Sequence, residues 1–244
     1  MILISPSSET KLELAPPHAT LWMLIDRPSS GTLPDAFRQP LAARGVAVQR
    51  HPATPSTPEV ELTVRTAESV ARLAAGTTRR DLELRWTLMH AEPVADRLRR
   101  LEALAAEARR LPEEGLERAT RGLWLDAHAA ARALWPLGTG PVHALAAAGE
   151  LSSALLRLSC LMDEGAYPPA EQLRAQATDT RIGQRLGGWL DDLLAGVAGD
   201  AAAGRRAVNA SLQVLEEVRI VLRERYSDRE WLRSPTDYEL RSRR

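Results

Sequence analysis

Two acidic residues stand where strand-like sequence could hold a divalent cation. Glu61 lies within Val60-Glu61-Leu62-Thr63-Val64, and strand alternation puts it with Thr63 and Arg65 on the polar face. Asp26 follows Ala19–Ile25, whose nearly continuous apolar run (Leu21, Trp22, Met23, Leu24, Ile25) suits a strand covered on both faces. If the two strands are neighbours, Asp26 and Glu61 approach one another at the edge of the sheet and are the candidate catalytic and metal-ligating pair. Chemistry on a polyphosphate bridged by two cations needs more, because one carboxylate cannot neutralise that charge or hold both ions. Such sites use an Asp-x-Asp pair on one strand and a third carboxylate on its neighbour, and His18–Asp26 contains no such pair. A Glu with alternating neighbours is also the ordinary pattern of a solvated strand residue.

Other chemistry-bearing groups read more simply. His90, Glu92 and Asp96 are close in sequence, but His-x-Glu at a helix end does not put both ligands on one face, and a structural polar cluster fits them as well. His128 and His143 sit amid alanines on helical sequence as core or groove histidines. Asp163-Glu164 and Asp191-Asp192 are adjacent pairs whose side chains point about 100° apart on a helix, so they read as solvated faces or helix-end charges. No Gly-rich phosphate loop, Gly-x-Ser-x-Gly elbow, His-Glu-x-x-His helix or Cys-His pair occurs.

Composition narrows the partners. Lys plus Arg and Asp plus Glu both total 32, and residues 1–92 carry ten of each sign, so neither half has the basic excess that phosphate neutralisation along a nucleic acid requires. Lys11 is the only lysine, a bias that reads as GC-rich coding. Cys160 is the only cysteine, which excludes an intrachain disulfide and fits a reducing cytoplasm. Met1-Ile2-Leu3-Ile4-Ser5 lacks a positive n-region and a sustained apolar core. The longest uncharged run, Ala133 to Gly149, is broken by Pro136, Gly138, Gly140, Pro141 and His143, so neither a signal peptide nor a membrane span is expected.

The positioning elements fall into two parts and a tail. Residues 1–92 read as a small α/β domain: strands at Lys11–Leu14, Ala19–Ile25, Val46–Val48 and Glu59–Thr66, helices near Pro34–Arg44 and Ala67–Ala75, and a proline-rich loop from His51 to Pro58. Residues 93–226 read as an antiparallel helical bundle. Its apolar stripes are Leu98 to Leu111, Leu116 to Leu134, Val142-Leu145-Gly149-Leu155-Leu158-Met162, Ile182-Leu186-Leu190-Leu193-Val197 on one helix, and Val208-Leu212-Leu215-Val218-Leu222-Tyr226. In residues 227–244 nine of eighteen positions are charged and Pro235 bars a continuous helix, so a flexible tail is expected, with Trp231, Leu232 and Tyr238 as the residues that could dock.

Glu61-Leu62-Thr63-Val64, Arg85-Trp86, His90-Ala91-Glu92-Pro93 with Asp96, and Tyr167-Pro168 with Leu173, Ile182 and Leu186 together resemble the small nucleotidyltransferases. That superfamily includes kanamycin-type antibiotic nucleotidyltransferases and minimal nucleotidyltransferases with a helical C-terminal domain; the resemblance spans roughly residues 18–225. It implies an α+β fold, a nucleotidyltransferase-like N-terminal domain followed by a helical bundle. It also implies a core shortened at its N-terminus, since Ser29-Ser30-Gly31 follows the strand where the family's Gly-Ser turn precedes it. Three readings follow. One is a catalytically degenerate protein serving as a binding or assembly scaffold, with a protein partner or self-association and no resident cofactor. Another is an active enzyme using Mg²⁺ and a nucleoside triphosphate around Asp26 and Glu61. The last is a helical adaptor unrelated to nucleotides.

Overall fold

The structure, a computed structural model, describes residues 2–6, 18–25, 39, 40, 43, 46–51, 59–95, 100–134, 141–199, 201–227, 229–236 and 238. The chain is α+β and divides into two units, Met1–Pro112 and Glu113–Arg244. The division falls twenty residues beyond the 92/93 boundary read from sequence, because a strand and a helix after Ala91 belong to the first unit.

In the first unit, β1 (Ile2–Pro6), β2 (His18–Ile25), β3 (Val46–His51), β4 (Glu59–Thr66) and β5 (Ala91–Ala95) form one mixed sheet in the order β3-β4-β2-β1-β5. β2 and β4 run parallel, and the other neighbours are antiparallel. β2, β3 and β4 stand where the apolar runs place them. The proposed strand Lys11–Leu14 lies outside the described residues, and of the proposed helix 34–44 the described Gln39, Pro40 and Ala43 are helical. β5 escaped the sequence reading because Pro93 denies a ladder hydrogen bond; β5 is an edge strand, where that loss is tolerated.

β4 runs directly into α1 (Ala67–Ala74) because Thr66 keeps an extended backbone while its Oγ1 accepts from the Ser69 N–H at 3.2 Å. α2 (Arg79–Met89) starts in a capping box. The Asp81 N–H donates to Thr78 Oγ1 at 3.4 Å, and the Thr78 N–H donates to Asp81 Oδ2 at 3.0 Å. With α3 (Arg100–Ala108), these helices close a core of Val70, Leu84, Leu88 and Ala108. Arg85, 1% exposed, donates from Nη1 to the Ala108 carbonyl at the end of α3, where the helix dipole is negative.

The second unit is helical throughout its described residues: α4 (Glu113–Leu134), α5 (Pro141–Glu164), α6 (Ala170–Thr178), α7 (Arg181–Leu186), α8 (Trp189–Ala198), α9 (Ala201–Tyr226) and α10 (Glu230–Arg233). Trp124, Leu151, Leu155, Leu158, Leu193, Val218 and Leu222 are fully buried in one core. The stripe on α5 is misphased in its first half: Val142 is 80% exposed and Leu145 and Gly149 face solvent, while Ala147, Ala148 and Leu151 turn inward. Alanines in quantity conceal the buried face there. By length and composition Val142–Glu164 could cross a membrane, but half of its most apolar window is buried inside the unit, and packing accounts for the apolarity.

The single helix expected over 182–197 is two. Gly187, at φ 48°, ends α7 in a conformation side chains resist, and α8 begins two residues later. α6 and α7 meet closely at Gly183, where a Cβ would lie 1.7 Å from the Ala177 carbonyl oxygen. Thr180 holds that corner: its hydroxyl donates to the Ala177 carbonyl at 2.7 Å and accepts from the Gly183 N–H at 3.0 Å. The single hydroxyl proton being committed, the buried Ser159 hydroxyl donates to it.

The expected flexible tail is corrected at the described residues 229–236 and 238; residues 228, 237 and 239–244 lie outside the described residues. Trp231 and Leu232 are buried in the main core, Trp231 Nε1 donates to Glu117 Oε1 at 3.3 Å, and Arg121 Nη1 donates to the Tyr238 hydroxyl at 3.0 Å. Two large apolar side chains outweigh a charged composition once they find the α4–α9 groove.

Candidate functional site

β2 and β4 are neighbours, and both are interior strands of the sheet. Their parallel register sets Glu61 level with Thr20, and Ile25 level with Thr66. Ile25 therefore lies five register positions from Glu61, about 17 Å along the strand direction at 3.3 Å per residue. Asp26, covalently joined to Ile25, lies outside the described residues. On its other side Glu61 is level with Arg50 of β3, an opposite charge at a directly facing position.

Acids are scarce in this sheet. β1, β2 and β3 contain none, β4 has Glu59 and Glu61, and β5 has Glu92. β4 and β5 are separated by β2 and β1, so Glu92 belongs to a strand roughly 14 Å from β4 at about 4.8 Å per strand. The Glu59-x-Glu61 spacing was overlooked by the sequence reading, although the period of a strand makes it an acid pair on one side. His18 of β2 is level with Glu59.

Two and four positions beyond Glu61, Thr63 and Arg65 are buried, so this side of β4 is covered there rather than solvated. Burial, and then the nearby Arg80 guanidinium, lower the Arg65 pKa. Burial lowers that of Arg85 as well, opposed by Asp81 and Glu107.

The remaining candidates resolve individually. The His90 ring stacks on Trp86 with centroids 4.3 Å apart, and its Nδ1 lies 3.0 Å from the Trp86 carbonyl oxygen, which makes Nδ1 the protonated nitrogen. Glu92 is in β5 and not on a helix end, and Asp96 lies outside the described residues. His143 is exposed in the first turn of α5. His128 lies in a groove of the second unit against Trp124, and burial, with Arg132 and Arg219 beside it, lowers its pKa to about 4. Glu164 accepts from Gln176 Nε2 at 2.6 Å, and both Asp191 oxygens accept from Arg174 Nη2 at 2.8 and 3.0 Å. Asp191 and Asp192 also occupy the first turn of α8, where negative charge is favoured. Burial, then Glu164 and Asp163, push the Cys160 thiol up to about 12, leaving it inert. Among the described residues no group of three His, Cys, Asp or Glu side chains is placed to hold a metal ion.

No family model and no curated protein matches the chain. Among solved structures, it is similar to a nucleotidyltransferase-like protein from Exiguobacterium sibiricum 255-15, at 15% sequence identity and a TM-score of 0.46, over 94% of this chain and 74% of that one.

Proposed function

We propose that the chain is a catalytically degenerate nucleotidyltransferase-like protein that works as a binding or assembly scaffold. The observation that carries this reading is the distribution of acids over the sheet: the two strands flanking Glu61 have no carboxylate at any position. Two cations in a transfer site sit about 3.5–4 Å apart and need ligands from adjacent strands. Glu61 is instead level in register with Arg50 of β3, and opposite charges at facing positions favour a sheet without a metal. A protein partner or a second copy supplies the binding role, and Val142 and Leu145, exposed three residues apart at the start of α5, offer it apolar surface.

The Glu59-x-Glu61 spacing favours a second reading, an active Mg²⁺-dependent enzyme with a divergent carboxylate set. Melting curves with a nucleoside triphosphate in Mg²⁺ and in EDTA separate the two, because a ligand that binds only the folded state raises its stability. The degenerate reading predicts that any shift is the same with and without metal. A metal-dependent rise that Glu59→Ala or Glu61→Ala removes supports the enzyme. Sedimentation of the full chain tests self-association directly.

A further inference from the structure

Glu117, Arg121, Trp124, His128 and Arg132 follow one another at three- and four-residue intervals and so share one face of α4. The segment 229–236 runs along that face. Arg229 pairs with Glu117 at 2.9 Å at one end, and Arg132 Nη1 donates to Thr236 Oγ1 at 2.7 Å at the other. Between these ties Trp124 and His128, with Leu232, Arg233 and Pro235 of the segment, line a cavity of about 280 Å³ whose remaining wall is α9. His128 is the side chain of this face whose ordinary titration lies near neutral pH.

The surroundings suit the neutral ring. Nε2 is buried without a hydrogen-bond partner, which a neutral imidazole tolerates because that nitrogen can be the unprotonated one. An imidazolium carries a proton on both nitrogens, so it puts a charged donor there with nothing to accept it. Nearby charges act the same way: Arg132 on α4 and Arg219 on α9 both oppose a cation. Glu216, the acid on the α9 wall, already accepts from Arg219 Nη2 at 2.6 Å, and the segment itself contributes Arg233. α4 and α9 carry Trp124, Leu215, Val218 and Leu222 of the main core, whereas the segment is held by Trp231, Leu232 and its surface ties. The segment therefore has the least burial to lose. We propose that His128 is an acid-sensitive latch: the neutral ring lets residues 229–236 close over the α4–α9 groove, and a proton taken up by the ring releases them while the bundle stays folded. The latch lies wholly in the second unit and does not depend on the reading of the sheet.

Amide hydrogen exchange of the full chain at pH 7 and pH 5, each expressed relative to unstructured-peptide rates, tests it. The acid limit stays above the ordinary carboxylate range of about 4, because Glu117 holds the other end of the segment. The amides of Leu232, Arg233 and Ser234, which donate to Arg229 and Glu230 carbonyls, report the segment, and those of Val218 and Leu222 report the bundle. Protection of the segment should fall about tenfold or more between the two pH values while that of α9 falls clearly less. His128→Gln, which cannot take up the proton, should hold the segment's protection within about twofold. Arg219→Met, which removes one opposing charge, should shrink the fall, and it decides the matter if His128→Gln does not fold. Segment amides unprotected at pH 7 or equally protected at both pH values overturn the proposal. So does α9 losing protection in step with the segment, or a fall as large in the variants as in the parent.

Discussion

Arg50 and Glu61 occupy directly facing positions of the antiparallel β3–β4 pair. Facing opposite charges contribute roughly 0.2–1 kcal/mol to a sheet. A double-mutant cycle with Arg50→Ala and Glu61→Ala in urea should return a coupling in that range. Coupling indistinguishable from zero would deprive Glu61 of its pairing role.

The docking of the C-terminal segment predicts a large effect from a residue outside the long helices. Trp231 is buried against Tyr226, with ring centroids 5.4 Å apart. Trp231→Ala should destabilise the second unit by about 3–5 kcal/mol. A mobile tail would leave the melting temperature unchanged, and that result would refute the docking.

Leu215, 3% exposed on α9, should cost about 2–5 kcal/mol on replacement by Ala, whereas Leu212, 43% exposed on the same helix, should cost far less. Equal losses at the two positions in chemical unfolding would show that the inward face of α9 has been misassigned.

His128 makes stability depend on pH. Its folded pKa of about 4 lies below the ordinary 6.5, so the unfolded chain binds the proton more readily. The contribution is therefore full above pH 6.5 and is lost as pH falls toward 4, amounting to about 3 kcal/mol. Relative to His128→Gln, the parent should lose about that much between these limits. Parallel pH profiles for the two proteins would contradict the burial of a neutral imidazole.

What was legible in the sequence follows from how each element declares itself. β2 and β4 are patterned by apolar runs and alternation, and the inward residues of α4 and α9 recur at helical spacing, so all four could be read, except that Leu212 of the α9 stripe faces solvent. β5 could not, because Pro93 is acceptable only on an edge strand, and being an edge is a property of the assembled sheet. The inward face of α5 was obscured by alanines that are apolar on every side. The C-terminal segment depends on a groove made by α4 and α9, and its bond from Trp231 of α10 to Glu117 of α4 joins positions more than a hundred residues apart, which no local pattern encodes. At the candidate site, the lack of an acid pair on β2 was legible. The neighbour relation of β2 and β4 was anticipated, but their register was not, and register is what sets Ile25 five positions from Glu61.

The central claim is that the sheet no longer supports nucleotidyl transfer, and the most direct measurement is transfer itself. The full chain is incubated with labelled nucleoside triphosphates, Mg²⁺ or Mn²⁺ and a panel of hydroxyl acceptors, beside Glu59→Ala and Glu61→Ala. The account predicts label transfer no greater than in the absence of protein, identical for all three chains. Turnover by the parent that disappears in Glu61→Ala would contradict it, and would mark Glu59 and Glu61 as a divergent active site rather than the remnant of a lost one.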